Sequence, residues 1–73
     1  MTPGSKWRHF KGGLYKLLGG CRLEATGEPH VVYKAWEDGD DFGAWWVRPL
    51  ADWNWVIVQG DGSTVKRFTE VEA

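Results

Sequence analysis

The chain has 73 residues, nine of them basic and ten acidic, for a net charge of −1. That length holds one domain with a thin core, and the balanced charge argues against a general nucleic-acid or membrane-surface binder, which would show a basic excess. The lone Cys21 excludes an internal disulfide, Cys21 with His9 and His30 is too few for a zinc set, and no apolar run approaches the roughly 20 residues of a membrane-spanning helix.

Stability must therefore come from rings, and the chain supplies six Trp, two Tyr and three Phe. Each large ring buried contributes several kcal/mol of apolar transfer, on the order of 25 cal/mol per Å². The N-terminus lacks the apolar core of a signal peptide, so the expected location is the cytoplasm.

Residues 1–5 read as a disordered tail, and residues 6–73 as the domain. Lys6-Trp7-Arg8-His9-Phe10-Lys11 alternates cations and aromatics before Gly12-Gly13 breaks the pattern, and reads as a short strand or an extended lead-in. Leu14 to Leu18 is a strand, with Gly19-Gly20 marking a bulge or bend and Cys21-Arg22-Leu23 continuing beyond it. Glu24 to Pro29 is a turn, with Gly27 available for positive φ.

His30 to Trp36 is the clearest strand by composition. Val31, Tyr33 and Ala35 share its core face, and Val32, Lys34 and Trp36 the other. Glu37 to Gly43 is an acidic turn. Ala44 to Arg48 is the third strand, ended by Pro49, which has no N–H to give to a ladder. Pro49 to Trp53 reads as one 3₁₀ or helical turn. Trp55 to Val58 is the fourth strand, Asp61-Gly62 makes a hairpin turn, and Thr64 to Val71 is the last strand. Short strands at about ten-residue spacing with Gly-rich turns predict an all-β fold. The architecture expected is a small SH3-like β-barrel of about five strands, with a 3₁₀ turn before the fourth.

Several blocks resemble a family of small bacterial proteins grouped as domain of unknown function 1653. They are Arg8-His9-Phe10-Lys11-Gly12, Tyr15, Leu18-Gly19, Arg22, Val31-Val32-Tyr33, Trp46-Val47-Arg48-Pro49-Leu50 and Arg67-Phe68. The resemblance runs from about Trp7 to Val71. It implies an SH3-like barrel and no assigned activity. Leu23, Lys66 and Asp52-Trp53 depart from the family's usual pattern.

The residues offered as a ligand-binding set are Arg8, His9, Lys11, Tyr15, Tyr33, Trp46, Arg48 and Arg67. Guanidinium groups stack on rings and fork onto carboxylates or phosphates, so these side chains would make an aromatic and cationic groove. The competing structural reading holds Arg48 against Trp46 or pairs it with Asp52. His9 has no nucleophile or orienting acid at a recognisable spacing, so no catalytic residue is assigned. Cys21 reads as a small apolar residue inside a barrel rather than a redox thiol. Asp38, Asp40 and Asp41 lack the glutamate that closes a calcium loop, so no metal or other cofactor is expected. Trp36, Trp53 and Trp55 are either an exposed partner patch or a lid over the core. The function expected is a non-catalytic binding module for a protein or peptide, working as a monomer or weak dimer. The alternative is single-stranded nucleic acid or nucleotide binding through Arg8, Lys11, Arg48 and Arg67.

Overall fold

The computed structural model describes residues 2–37 and 45–71. Strand β1 (Lys6–His9), β2 (Leu14–Arg22), β3 (Pro29–Ala35) and β4 (Trp45–Pro49) lead into a helical turn, α1 (Leu50–Trp53). Strands β5 (Val56–Val58), β6 (Thr64–Lys66) and β7 (Phe68–Val71) follow. The fold is all-β, as composition and turn spacing predict. Five antiparallel strands form one sheet in the order β4-β3-β2-β1-β7, and β5 and β6 form a separate hairpin. Among the described residues no pairing joins β4 back to β7, so the sheet does not close into the expected barrel.

Two local signals are realised where the sequence places them. Asp61-Gly62 turns the β5–β6 hairpin with Gly62 at φ 87°. The Asp61 carboxylate accepts the Ser63 N–H and hydroxyl at 2.9 and 2.6 Å, and these bonds hold its pKa below the ordinary value. The glycine pair in β2 sits just past a bulge. Leu17 pairs with Tyr33 and Gly19 with Val32, leaving Leu18 as the extra residue. A bulge bends its strand and raises the local twist, and β2 continues through it to Arg22.

Three expectations are corrected. The turn before the fourth strand is α-helical rather than 3₁₀: the Asn54 N–H reaches the Leu50 carbonyl, four residues back, at 3.1 Å. Only its exit is 3₁₀-like, with the Trp55 N–H on the Asp52 carbonyl. The last strand divides at Arg67, because β6 pairs with β5 and β7 pairs with β1. Arg67 is the crossover: its N–H reaches the Trp55 carbonyl beside β5 and its carbonyl accepts the Phe10 N–H beside β1, each at 2.8 Å, so it ends one ladder and begins the other. Cys21 is exposed rather than packed inside, because the β2–β3 hairpin extends beyond the core at that end. In the segment expected as a tail, the Gly4 N–H donates to the Leu17 carbonyl and the Leu17 N–H to the Ser5 carbonyl, at 2.7 and 2.9 Å.

The core is small and aromatic. Leu17, Val31, Tyr33, Trp53 and Phe68 are buried, with Trp7, Tyr15 and Leu50 packed against them. Alternation accounts for the strand residues: Val31 and Tyr33 face inward from β3, and register aligns Leu17 with Tyr33 and Trp7 with Tyr15. Trp53 enters from α1 and is 1% exposed, whereas Trp55 is 57% exposed. The helical turn and Asn54 separate them, so the shared patch expected from an extended chain does not form.

Candidate functional site

Phe68 is the ring around which the predicted site residues gather. It opens β7 opposite His9 of β1. His9 meets it edge-to-face at a centroid distance of 4.9 Å, and Tyr15 and Tyr33 at 5.9 and 5.8 Å. The Arg48 guanidinium carbon lies 5.6 Å from its centroid. Such a contact is attractive through the ring quadrupole and leaves the guanidinium donors directed elsewhere. One of those donors, Nε, approaches the Tyr33 hydroxyl at 3.4 Å. The ring that holds Arg48 is therefore Phe68, not Trp46, and its hydrogen-bond partner is a phenol, not Asp52.

The cations around His9 act on it together. Its pKa is lowered from the ordinary 6.5, first by burial and then by Arg48, Arg67 and Lys11 in that order. Each positive charge disfavours a second one on the imidazole. The Lys11 backbone N–H donates to His9 Nδ1 at 3.2 Å, which places the neutral ring's own proton on Nε2. The Lys11 ammonium lies 5.8 Å from the Phe10 centroid. His9, Lys11, Tyr15, Tyr33, Arg48 and Arg67 thus share one region.

Two of the predicted residues stand apart. Trp46 pairs with Tyr33 and so is on the core-side face, but it lies on the edge strand and is 58% exposed. Arg8 alternates with Trp7 and His9, both of which meet core rings, so register turns it to the opposite face. The four-cation face of Arg8, Lys11, Arg48 and Arg67 is not assembled as one surface. Asp38, Asp40 and Asp41, and the start of the third strand at Ala44, lie outside the described residues.

Phe68 was the residue missing from the predicted set. The resemblance includes Arg67-Phe68, but no local pattern gives Phe68 a role in the site, because its importance comes from β7 pairing with β1, nearly the whole chain away. Trp53 was missed for a related reason: it reaches Phe68 only because α1 turns it inward.

The model of the family described as "Protein of unknown function (DUF1653)" matches residues 5–70. The chain belongs to the DUF1653 family. A crystal structure of a DUF1653 protein from Bordetella bronchiseptica is similar to it, with 34% sequence identity and a TM-score of 0.77. That similarity covers 97% of this chain and 87% of the Bordetella chain. No curated protein matches this DUF1653 chain. No helix among its described residues is long and apolar enough to cross a membrane.

Proposed function

We propose that this DUF1653 domain is a non-catalytic protein-interaction module that takes an extended, carboxylate-bearing peptide segment along β4. One observation carries the reading. Arg48, at the end of an edge strand, is held by a ring and a phenol, and among the described residues no carboxylate pairs with it. Its charge is therefore oriented without being neutralised by those partners. An oriented guanidinium suits bidentate capture of a carboxylate.

The strand that carries it supports the same reading. Trp46 and Val47 are 58% and 54% exposed on β4, at the edge of the five-stranded sheet. An exposed apolar edge strand is a ready template for strand addition. A peptide laid there would cover Trp46 on one face and Val47 on the other, and would bring an acidic side chain to Arg48. The fields of Arg67 and Lys11 would reinforce that contact.

The test is an amide and indole chemical-shift titration with an extended peptide that alternates Val and Glu, beside a Val–Lys control of equal length. The expected result is perturbation of the Trp46 indole and the Val47 and Arg48 amides by the acidic peptide alone. Loss of that response in Trp46→Ala with the fold intact would support the reading. Equal perturbation by both peptides, or shifts confined to other strands, would overturn it.

A further inference from the structure

Strands β5 and β6 stand apart from the five-stranded sheet as a two-stranded hairpin. Such a hairpin is marginal unless a further strand or a packed face supports it. One face has that support: Ile57 and Val65, opposite each other in register, are half-buried. The other face lacks it. Val56 and Val58 of β5 are 46% and 71% exposed, with Lys66 and Thr64 opposite them.

The backbone bonds show which way β5 offers its free groups. In an antiparallel pair, residues that bond across the ladder alternate with residues that do not. The Arg67 N–H donates to the Trp55 carbonyl, and the Gln59 N–H to the Ser63 carbonyl, each at 2.8 Å. Trp55 and Gln59 thus bond toward β6, as does Ile57 midway between them. Val56 and Val58 turn their N–H and C=O groups the opposite way, to an edge where no described strand pairs.

The two edges of the hairpin differ in chemistry. β6 carries Lys66, and a lysine on an edge strand discourages pairing. β5 is Val-Ile-Val, β-branched throughout and uncharged, so nothing on it repels an added strand.

We infer that β5 pairs antiparallel with β5 of a second copy of this chain, joining the two hairpins into one sheet across a twofold axis. With the axis at Ile57, Val56 lies opposite Val58 of the second copy. Every outward N–H and C=O of both valines then meets a partner, so the strand is its own complement. The exposed valines of the two copies come together on one face. On the other, Trp55, itself exposed, comes opposite Gln59 of the second copy. A strand this short buries far less than the roughly 800 Å² per partner of a stable complex. The dimer is therefore weak, with a Kd on the order of 0.1 mM.

The experiment is sedimentation velocity at concentrations bracketing that value, with amide and indole NMR spectra of the same samples. The weight-average mass should rise from monomer toward dimer, and the Val56 and Val58 amides and the Trp55 indole should shift as it rises. Val58→Pro removes an N–H that β6 does not use, a change edge strands tolerate. Symmetry deletes that bond twice, so association should weaken by about tenfold or more. Val58→Lys keeps both backbone groups and sets a charge among the valines, and should weaken association to a similar extent. Thr64→Lys, on β6, should leave it unchanged. Circular dichroism checks the fold of each variant, and if Val58→Pro is unfolded, Val58→Lys decides.

A mass that stays monomeric even at millimolar concentration would overturn the inference. So would equal weakening by Thr64→Lys and Val58→Lys. Growth past the dimer would overturn the twofold pairing, since β5 of one copy on β4 of the next makes an open chain rather than a closed pair. Val58→Lys leaves β4 and Trp46 unaltered, so failure of this proposal and failure of the peptide-binding one are distinguishable.

Discussion

The Trp53 indole lies flat on the ring of Phe68, with centroids 3.8 Å apart and planes 6° from parallel. The stack joins α1 to the β1–β7 end of the sheet. Trp7 and Tyr33 close around the same indole at 5.4 and 5.1 Å. Removing it leaves a cavity bounded by three rings on three strands, which cannot collapse together. Trp53→Ala should cost about 3–5 kcal/mol, a large share of the roughly 5–15 kcal/mol that holds a small domain folded. Trp53→Phe should cost less than about 2 kcal/mol, since it keeps a ring on Phe68. It also removes the indole Nε1, a buried donor with no hydrogen-bond partner among the described residues. Urea unfolding followed by circular dichroism measures both; an unchanged midpoint for Trp53→Ala would refute the central role of the stack.

The limits of the sequence reading follow from the same contacts. Strand β3 was legible in part because its alternation is local: Val31 and Tyr33 are buried as their face predicts, but His30 and Lys34 of the opposite face are buried as well, which the alternation does not show. The Asp61-Gly62 turn was legible because its bonds close within five residues. Trp53 was not, since one helical turn reverses the side on which it lies relative to Trp55. Arg67 was not, because an alternating run gives no sign of where a ladder changes partner. For Lys6 to Lys11 the alternation was visible, but which set faced the core depended on β7. Only that pairing separates Arg8 from His9 and so decides which cations share a surface.

His9 should make stability pH-dependent on the acid side. Burial and the charges of Arg48, Arg67 and Lys11 hold its pKa below 6.5. Between that lowered value and 6.5 the unfolded chain binds more protons than the folded one, so stability rises with pH there. The contribution is complete above 6.5, declines as pH falls below 6.5, and levels off once the pH is below the folded-state value. Arg48→Gln removes the largest of the three charge effects, so His9 should titrate closer to 6.5 and the acid-side loss should shrink. The His9 ring protons, followed by NMR across pH, report this directly. A parent chain in which His9 titrates at or above 6.5 contradicts the arrangement.

Two exposed glycines should respond oppositely to the same change. Gly13 follows the turn after β1, where the His9 N–H donates to its carbonyl at 2.7 Å. A Cβ there would lie 3.1 Å from both Cε2 and the hydroxyl oxygen of Tyr15. Tyr15 is held edge-to-face by Tyr33 and Phe68, so its ring can yield little. Gly13→Ala should cost about 1–3 kcal/mol. At Gly60 an added Cβ meets nothing within 4 Å, and its φ is not positive. Gly60→Ala should therefore be neutral or stabilise by up to about 1 kcal/mol, through the unfolded chain's lost freedom. Thermal unfolding of the two variants side by side decides the matter, and equal shifts would show that Tyr15 does move aside.

Arg67 combines a structural backbone with a side chain whose buried atom is poorly satisfied. Its N–H donates to the Trp55 carbonyl and its carbonyl accepts the Phe10 N–H, each at 2.8 Å. Those two bonds tie the β5 end of the hairpin to the turn after β1. The side-chain Nε is buried without a hydrogen-bond partner among the described residues, a state that costs about 1–3 kcal/mol. Arg67→Met retains both backbone bonds and the apolar stem packing while removing that donor. Its stability should be unchanged or higher by about 1 kcal/mol, and the His9 pKa should rise because one of its three cations is gone. Arg67→Pro loses the bond to Trp55 and should cost about 3 kcal/mol or more. Urea midpoints and the His9 titration separate the two effects. If Arg67→Met lost more than about 1 kcal/mol while the His9 pKa still rose, Nε would have to be satisfied by water in solution, and the side chain would count as part of the hairpin's anchorage.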